Sequence, residues 1–179
     1  MRPLADAERI RAFLSALGRE AEAPCRLYLT GGATAVLLGW RETTIGAEVK
    51  FVPEASEVFG AIPRLKESLG INVELACPSD FIPQLPGWED RSQFEKQEGR
   101  LAVYHYDFYA QALAKLEREH DQDLEDVREM IRRELVEPRR LLEFFGRIVP
   151  DLRRYPAIDP PTFRRSVEEM VRDPRSTGS

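Results

Sequence analysis

Three residues in the first third of the sequence are of types that bind phosphates and metal ions: Gly31, Gly32 and Glu48. Glycines at a strand-to-helix turn let a ligand approach the backbone closely. The helix that follows such a turn offers unpaired N–H groups and the positive end of its dipole, which suit a phosphate. The sequence therefore predicts a phosphate-binding turn, followed by a strand that carries a carboxylate.

Residues 27–53 must supply the elements that position these groups. An alternating run before the glycines predicts a strand, and the apolar residues 33–38 predict a short buried helix. A second alternating run follows, in which Gly46, Glu48 and Lys50 share one face because successive side chains of a strand point to opposite sides. The other face is predicted to be the core side, with Ala47, Val49 and Phe51.

This stretch resembles the polymerase-beta-like nucleotidyltransferase superfamily, in particular its branch of AbiEii-type and MenT-type toxins. That family has a Gly-Gly or Gly-Ser turn, a short helix, an arginine and threonines, and then a strand carrying Asp-x-Asp. The residues that match in type and order are Gly31, Gly32, Arg41, Thr43 and Thr44. The resemblance implies that Gly31, Gly32, Arg41 and Thr44 bind the nucleotide.

The Asp-x-Asp positions depart from the family, since they fall on Gly46 and Glu48. Glycine has no side-chain oxygen, so Glu48 is the only metal ligand left from this motif. Mg²⁺ is usually held by one or two carboxylates together with substrate phosphates. A further carboxylate is expected from Glu74, on a neighbouring strand over residues 71–76, because the superfamily places a third carboxylate there. Glu74 could equally mark the solvent side of a half-exposed strand.

A second matching segment lies further along the chain. The family carries a helical lysine and then acids at a three-residue spacing, and Lys115, Arg118, Asp123 and Asp126 match in type and order. The resemblance implies that Lys115 contacts the nucleotide triphosphate and that Asp123 supports the lysine or the metal. Alternatively, the acids lie in a first helical turn, where the helix dipole favours negative charge. Lys115 lies in a largely apolar helix, which favours a cleft over open solvent.

The resemblance implies transfer of a nucleoside monophosphate from an NTP, with Mg²⁺, to an RNA or protein acceptor, as toxins of toxin–antitoxin pairs do. An antitoxin-like protein is then a possible partner, and catalysis is expected to be weakened because Gly46 replaces the first aspartate. The alternative function is a catalytically inactive module that binds a nucleotide or a protein. A third interpretation is purely structural, with the glycines forming only a tight connection.

Composition sets the class of protein. The chain has 179 residues, of which 42% are hydrophobic and 32% charged, as in a soluble globular protein. No apolar run approaches the roughly 18 residues of a spanning helix, and the N-terminus lacks the apolar core of a secretory signal. We therefore expect a cytoplasmic location and no membrane partner.

The formal net charge of −5 argues against tight nonspecific binding to nucleic acids. The last third nevertheless contains many arginines, including the pairs 132–133, 139–140, 153–154 and 164–165 and the single Arg147. They are expected to lie on solvated helix faces interleaved with glutamates. A local basic patch is the alternative.

The predicted fold class is α+β, with a small mixed sheet packed by helices and a helical C-terminal third. Residues 1–120 are predicted to form the nucleotidyltransferase-like core, residues 121–173 a helical segment packed on it, and residues 174–179 a flexible tail. Cys25 and Cys77 are expected to be small buried residues, and His105 to be structural.

Residues 77–99 are predicted to be long and irregular, since prolines and glycines interrupt them. Such loops are often binding loops. Trp88 and Arg91 could stack on a base or grip a phosphate, or could pin the loop to the protein. For Phe81 and Phe94, packing onto the core is predicted.

Overall fold

A computed structural model of the protein describes residues 1–173 and residue 175. The chain forms two compact units. The sheet unit consists of residues 1–77 and 92–106, and the helical unit consists of residues 78–91 and the described residues from 107 onward. The mixed sheet packed by helices and the helical C-terminal part confirm the predicted α+β class. The predicted boundary at residue 120 stays a prediction, and the predicted tail falls outside the described residues except for Arg175.

The strands are β1 (Ala5–Asp6), β2 (Cys25–Thr30), β3 (Thr43–Thr44), β4 (Gly46–Val52), β5 (Asn72–Leu75), β6 (Gln93–Glu98) and β7 (Leu101–His105). The helices of the sheet unit are α1 (Ala7–Glu20), α2 (Gly32–Leu38) and α3 (Ser56–Leu69). Those of the helical unit are α4 (Trp88–Arg91), α5 (Phe108–Arg118), α6 (Asp121–Arg132), α7 (Pro138–Ile148) and α8 (Pro160–Arg172). Two 3₁₀ helices, Pro78–Asp80 and Val149–Arg154, also belong to the helical unit.

The main sheet has the strand order β5-β4-β2-β7-β6, and β1 pairs separately with β3. The central strand β2 runs antiparallel to β4 and parallel to β7, while β5 runs parallel to β4 at one edge. This register places Glu48 opposite Thr30 on one side and opposite Glu74 on the other. The sheet therefore holds the glycine turn at the end of β2 beside Glu48 of β4, with Glu74 one strand further away on β5.

The core of the sheet unit lies on one face of the sheet. Residues of β4 alternate between buried and half-buried along the whole strand, as its sequence predicts. Helices α1 and α3 pack against each other, and their buried residues join those of the strands in one cluster. The large side chains that the strands contribute to it are Leu27, Leu29, Val49, Phe51, Leu101 and Val103. Burying side chains of this size contributes roughly 1.5–3 kcal/mol each, so the register of the strands is strongly specified.

The helical unit has a core of its own. Phe145 of α7 and Phe163 of α8 are buried, and their rings meet edge to face with centroids 4.9 Å apart. Leu141, Val127 and Val167 are fully buried as well. In α7 the buried residues recur at the three- and four-residue spacing of an amphipathic helix.

The prediction that residues 77–99 are irregular is wrong in part. Residues 88–91 form α4, and residues 93–98 form β6, which pairs antiparallel with β7. The sequence of β6 is mostly polar because an edge strand needs few buried side chains, so its pattern is weak. Phe81 and Phe94 are 44% and 53% exposed, so their predicted burial is also wrong. Phe94 instead lies against the ring of Tyr104, with centroids 5.5 Å apart.

None of the helices in the described part of the chain combines the length and the apolar character that crossing a bilayer requires. Cys25 and Cys77 are both buried, as predicted, and neither takes part in a disulfide.

Candidate functional site

The carboxylate of Glu48 lies directly against the glycine turn. Gly31 has a positive φ of 66° and caps the short helix α2. A Cβ at Gly31 would lie 3.0 Å from Oε2 of Glu48, so even alanine would crowd the carboxylate. Glutamate is one methylene longer than the aspartate of the family pattern. The side chain from β4 can therefore place its charge at the turn where the sequence predicts a phosphate.

Thr44 and Arg41 close the other side of the turn. A Cβ at Gly32 would lie only 1.9 Å from Oγ1 of Thr44 and 3.4 Å from Nη1 of Arg41, so only glycine fits there. The Thr44 hydroxyl donates a hydrogen bond to the carbonyl oxygen of Gly46 at 3.2 Å. The structure thus brings together all four predicted nucleotide-binding residues of the sheet unit with Glu48: Gly31, Gly32, Arg41 and Thr44.

Glu48 and Glu74 occupy paired positions of neighbouring parallel strands. Paired residues point to the same face, with strands about 4.8 Å apart. Mg²⁺ is usually held by one or two carboxylates together with phosphates and water, so these paired positions remain the predicted place for the ion. Within residues 1–173 and residue 175, no group of three or more Cys, His, Asp or Glu side chains is arranged to hold a metal ion. The Mg²⁺ site therefore stays a prediction that rests on Glu48 and Glu74.

The glycine at position 46 is required by the neighbouring strand. A Cβ at Gly46 would lie 2.7 Å from both Cβ and the carbonyl oxygen of Asn72 on β5. One of these atoms belongs to the backbone, so the clash cannot be relieved by a side-chain rotation. The packing of β5 against β4 thus leaves no space for an aspartate side chain at position 46.

The predicted residues of the helical unit form a buried ionic network. Nζ of Lys115 lies 3.2 Å from Oδ1 of Asp123 and 2.8 Å from Oδ2 of Asp126. Arg118 adds a hydrogen bond to Oδ1 of Asp123 at 2.8 Å. Lys115, Asp123 and Asp126 are each at most 5% exposed. Two cations and two carboxylates balance in charge, which is what burial of ionic groups requires.

This network decides between two interpretations of the acids. The helix dipole at a solvated first turn does not by itself explain these acids, because Asp123 and Asp126 are buried and form ion pairs with Lys115. Burial raises the pKa of Asp123, but Arg118 and Lys115 outweigh it and hold that pKa below its usual value. The second oxygen of Asp123, Oδ2, is buried and accepts no hydrogen bond within the described part of the chain. Asp123 therefore holds the Lys115 side chain in place, and its predicted role at a nucleotide or metal site stays a prediction.

A further polar chain was not predicted from the sequence. Nδ1 of His105 lies 3.0 Å from the hydroxyl of Thr34, and Nε2 lies 2.9 Å from Oε2 of Glu95. The order carboxylate, imidazole and hydroxyl is that of a hydrolase triad, but Thr34 and His105 are both 0% exposed. A hydroxyl that a substrate cannot reach cannot attack it. These hydrogen bonds instead tie β6 and β7 to α2. Burial lowers the pKa of His105, although Glu95 opposes the shift.

Arg91 and Trp88, for which the sequence left two roles open, are both engaged within the helical unit. Trp88 is buried. Arg91 donates hydrogen bonds to Oδ2 of Asp107 and to the carbonyl oxygen of Pro86, both at 2.8 Å. Many C-terminal arginines behave as the sequence predicts, in ion pairs on exposed helix faces: Arg132 and Arg133 with Glu129, and Arg139 with Glu143.

Comparison of the sequence with protein-family models and with curated proteins, and of the fold with solved structures, finds no match.

Proposed function

We propose that this chain is a nucleotidyltransferase-like protein, which transfers a nucleoside monophosphate from an NTP to an RNA or protein acceptor with weakened activity. The observation that carries the proposal is the convergence of Gly31, Gly32, Arg41, Thr44 and Glu48 at one turn of the sheet unit. Residues scattered over 18 positions of sequence meet there, and all are of the type that the nucleotidyltransferase resemblance implies except Glu48, a longer carboxylate in place of an aspartate.

Each residue has a physical task in this function. The glycine turn admits the triphosphate to the backbone, and Arg41 supplies a positive charge for its oxygens. Glu48 and Glu74 would hold one Mg²⁺, which when bound neutralises phosphate charge. Lys115 is proposed as a triphosphate contact on the strength of the resemblance, with Asp123 and Asp126 fixing its side chain. An antitoxin-like protein partner belongs to the same proposal.

Two observations favour a second candidate, a catalytically inactive nucleotide- or protein-binding module. Gly46 leaves no room for the first aspartate because Asn72 lies so close. The carboxylate of Glu48 lies at the turn itself, where it repels a phosphate unless a cation lies between them. An NTP would then bind only with a divalent cation, and transfer would be absent.

Calorimetric titration of the full chain with each of the four NTPs, with and without Mg²⁺, separates the two candidates. Glu48→Gln removes the carboxylate charge with little change in shape, and the exposed Glu54→Gln is the matched control. Magnesium-dependent binding that Glu48→Gln abolishes and Glu54→Gln retains would support a nucleotide site at the turn. Transfer of label from an α-labelled NTP to RNA or protein would then identify an active enzyme.

The absence of NTP binding at millimolar concentration would contradict both nucleotide-binding proposals and leave the protein-binding module. Magnesium-dependent binding without label transfer to any acceptor would favour the inactive module. Lys115→Ala tests the second group of residues separately, because loss of NTP binding with retained folding would assign Lys115 to the nucleotide.

A further inference from the structure

Three arginines converge on one phenylalanine ring in the helical unit. The guanidinium carbon of Arg91 lies 4.2 Å from the ring centroid of Phe144, that of Arg147 lies 5.3 Å away, and that of Arg140 lies 5.5 Å away. Phe144 is buried, Arg91 is half-buried, and Arg140 and Arg147 are exposed. These four residues are called the Phe144 arginine cluster below.

The spacing of the sequence builds this cluster. Arg140, Phe144 and Arg147 follow one another at four and three residues along α7, so they lie on one stripe of the helix. Arg140 also lies over the ring of Tyr109 at 5.2 Å. Arg91 comes from the end of α4, and its hydrogen bonds to Asp107 and Pro86 fix its guanidinium. The cations are therefore held by packing on aromatic faces rather than left to random solvent positions.

The charges of the cluster are not balanced. Asp107 neutralises Arg91, with Nη2 and Oδ2 2.8 Å apart. Arg140 and Arg147 form no ion pair with any residue in ranges 1–173 and 175. Glu143, the acid between them on α7, lies 3.8 Å from Arg139 instead. All three guanidinium carbons lie within 5.5 Å of the ring centroid of Phe144. Arg140 and Arg147 therefore place two unneutralised charges around the same ring on which Arg91 packs.

We propose that the Phe144 arginine cluster binds phosphate groups, with Arg140 and Arg147 as the ligand-binding residues and Arg91, which is paired with Asp107, packed on the same ring. A guanidinium is a planar fork that matches phosphate oxygens in a bidentate way, and it keeps its charge at all physiological pH values. A bound phosphate also relieves the repulsion between the two exposed cations. The ligand is a free polyphosphate or the phosphodiester backbone of a nucleic acid, which present the same chemistry.

The cluster is independent of the proposed transfer reaction, since it shares no residue with the glycine turn or with the Lys115 network. It also bears on the two interpretations of the C-terminal arginines. Arg132, Arg133 and Arg139 are paired with glutamates, whereas Arg140 and Arg147 form the local basic patch that the sequence leaves open.

The test uses the full chain in the presence of EDTA, so that no divalent cation contributes. Thermal unfolding is followed with and without sodium tripolyphosphate, and binding of a fluorescent 12-nucleotide single strand is followed by anisotropy over a range of salt concentrations. The test variant is Arg140→Gln/Arg147→Gln. The matched control is Arg132→Gln/Arg139→Gln, which removes the same charge from paired arginines in the same part of the chain.

We expect tripolyphosphate to raise the unfolding temperature of the wild type and the control, and to leave that of the test variant unchanged. If the source is a nucleic acid, the test variant should also bind the oligonucleotide at least tenfold more weakly. Loss of two phosphate contacts should make the plot of log binding constant against log salt concentration less steep by about 1.4. Stabilisation by tripolyphosphate without oligonucleotide binding would assign the cluster to a free polyphosphate.

Equal responses of the test and control variants would overturn the proposal, and so would a wild type that responds to neither ligand. Because Arg140 and Arg147 are exposed, the test variant should fold; the single variant Arg147→Gln provides a milder form of the same test. A Glu48→Gln variant that keeps the tripolyphosphate response but loses magnesium-dependent NTP binding would show that the two sites are distinct.

Discussion

The buried network of Lys115 yields a prediction whose size can be worked from the structure. Lys115→Met keeps the length of the unbranched side chain and removes the ammonium group. Asp123 and Asp126 then remain buried without the ammonium group, while Arg118 still pairs with Asp123. Removing one partner of a buried ion pair costs about 3–5 kcal/mol because the other charge is left without compensation. We expect the free energy of unfolding of the helical unit to fall by that amount, or its melting temperature by about 12 °C or more.

The assay is urea unfolding followed by tryptophan fluorescence in a Trp40→Phe background. Trp88, which is buried in the helical unit, then reports on that unit alone. The control is Arg139→Met, since Arg139 is exposed and lies 3.8 Å from an exposed Glu143. Surface pairs of this kind contribute about 0–1 kcal/mol. The comparison therefore separates the cost of an unpaired buried charge from the loss of a cation as such.

The result that would refute the reasoning is a loss below about 1 kcal/mol for Lys115→Met, equal to that of the control. A third variant checks the cause directly. Lys115→Met combined with Asp123→Asn and Asp126→Asn removes the buried charges together, and it should recover part of the stability that the single variant loses. Failure to recover any would mean that packing, not charge, explains the loss.

Three further outcomes are expected. The pKa of His105 lies below its unfolded value, so the stability that this residue contributes is complete above about pH 6.5 and is lost as the pH falls toward the folded pKa. The melting temperature should therefore be lower at about pH 5.5 than at about pH 8. His105→Gln should reduce this difference, and the exposed His120→Gln should not. Gly46→Asp should cost about 1–3 kcal/mol through overpacking, whereas Gly60→Asp, where a Cβ meets nothing within 4 Å, should cost far less in the same denaturation experiment. Burial and then Glu57 raise the pKa of the Cys25 thiol, so alkylation followed by mass spectrometry should find Cys25 modified much more slowly in the native protein than in urea.

The candidate site of the sheet unit could be predicted from the sequence to a considerable extent. The Gly31-Gly32 turn, the alternation of β4 and the face of Glu48 all follow from local rules, because glycine geometry and the two-residue period of a strand do not depend on distant residues. The register of β4 with β5, which pairs Glu48 with Glu74, did not follow from those rules. A strand pattern gives a face but not a neighbour.

In the helical unit, little of the candidate chemistry could be predicted from the sequence. Nothing in the sequence groups Arg91 with Arg140 and Arg147, since Arg91 lies about 50 positions earlier in a segment whose pattern predicts irregular structure. Likewise, acids in the first turns of α6 are ordinary until the packing of α5 against α6 brings Lys115 to them.

The sequence by itself determined the α+β class, the apolar stripes of the helices and the residue types available for chemistry, since these depend on composition and on short-range periodicity. Only the tertiary structure decided which charges meet. Glu48 reaches the glycine turn, Asn72 excludes a side chain at Gly46, and two arginines of α7 remain unneutralised around Phe144. Such contacts depend on strand register and helix packing, which set distances between residues far apart in the chain.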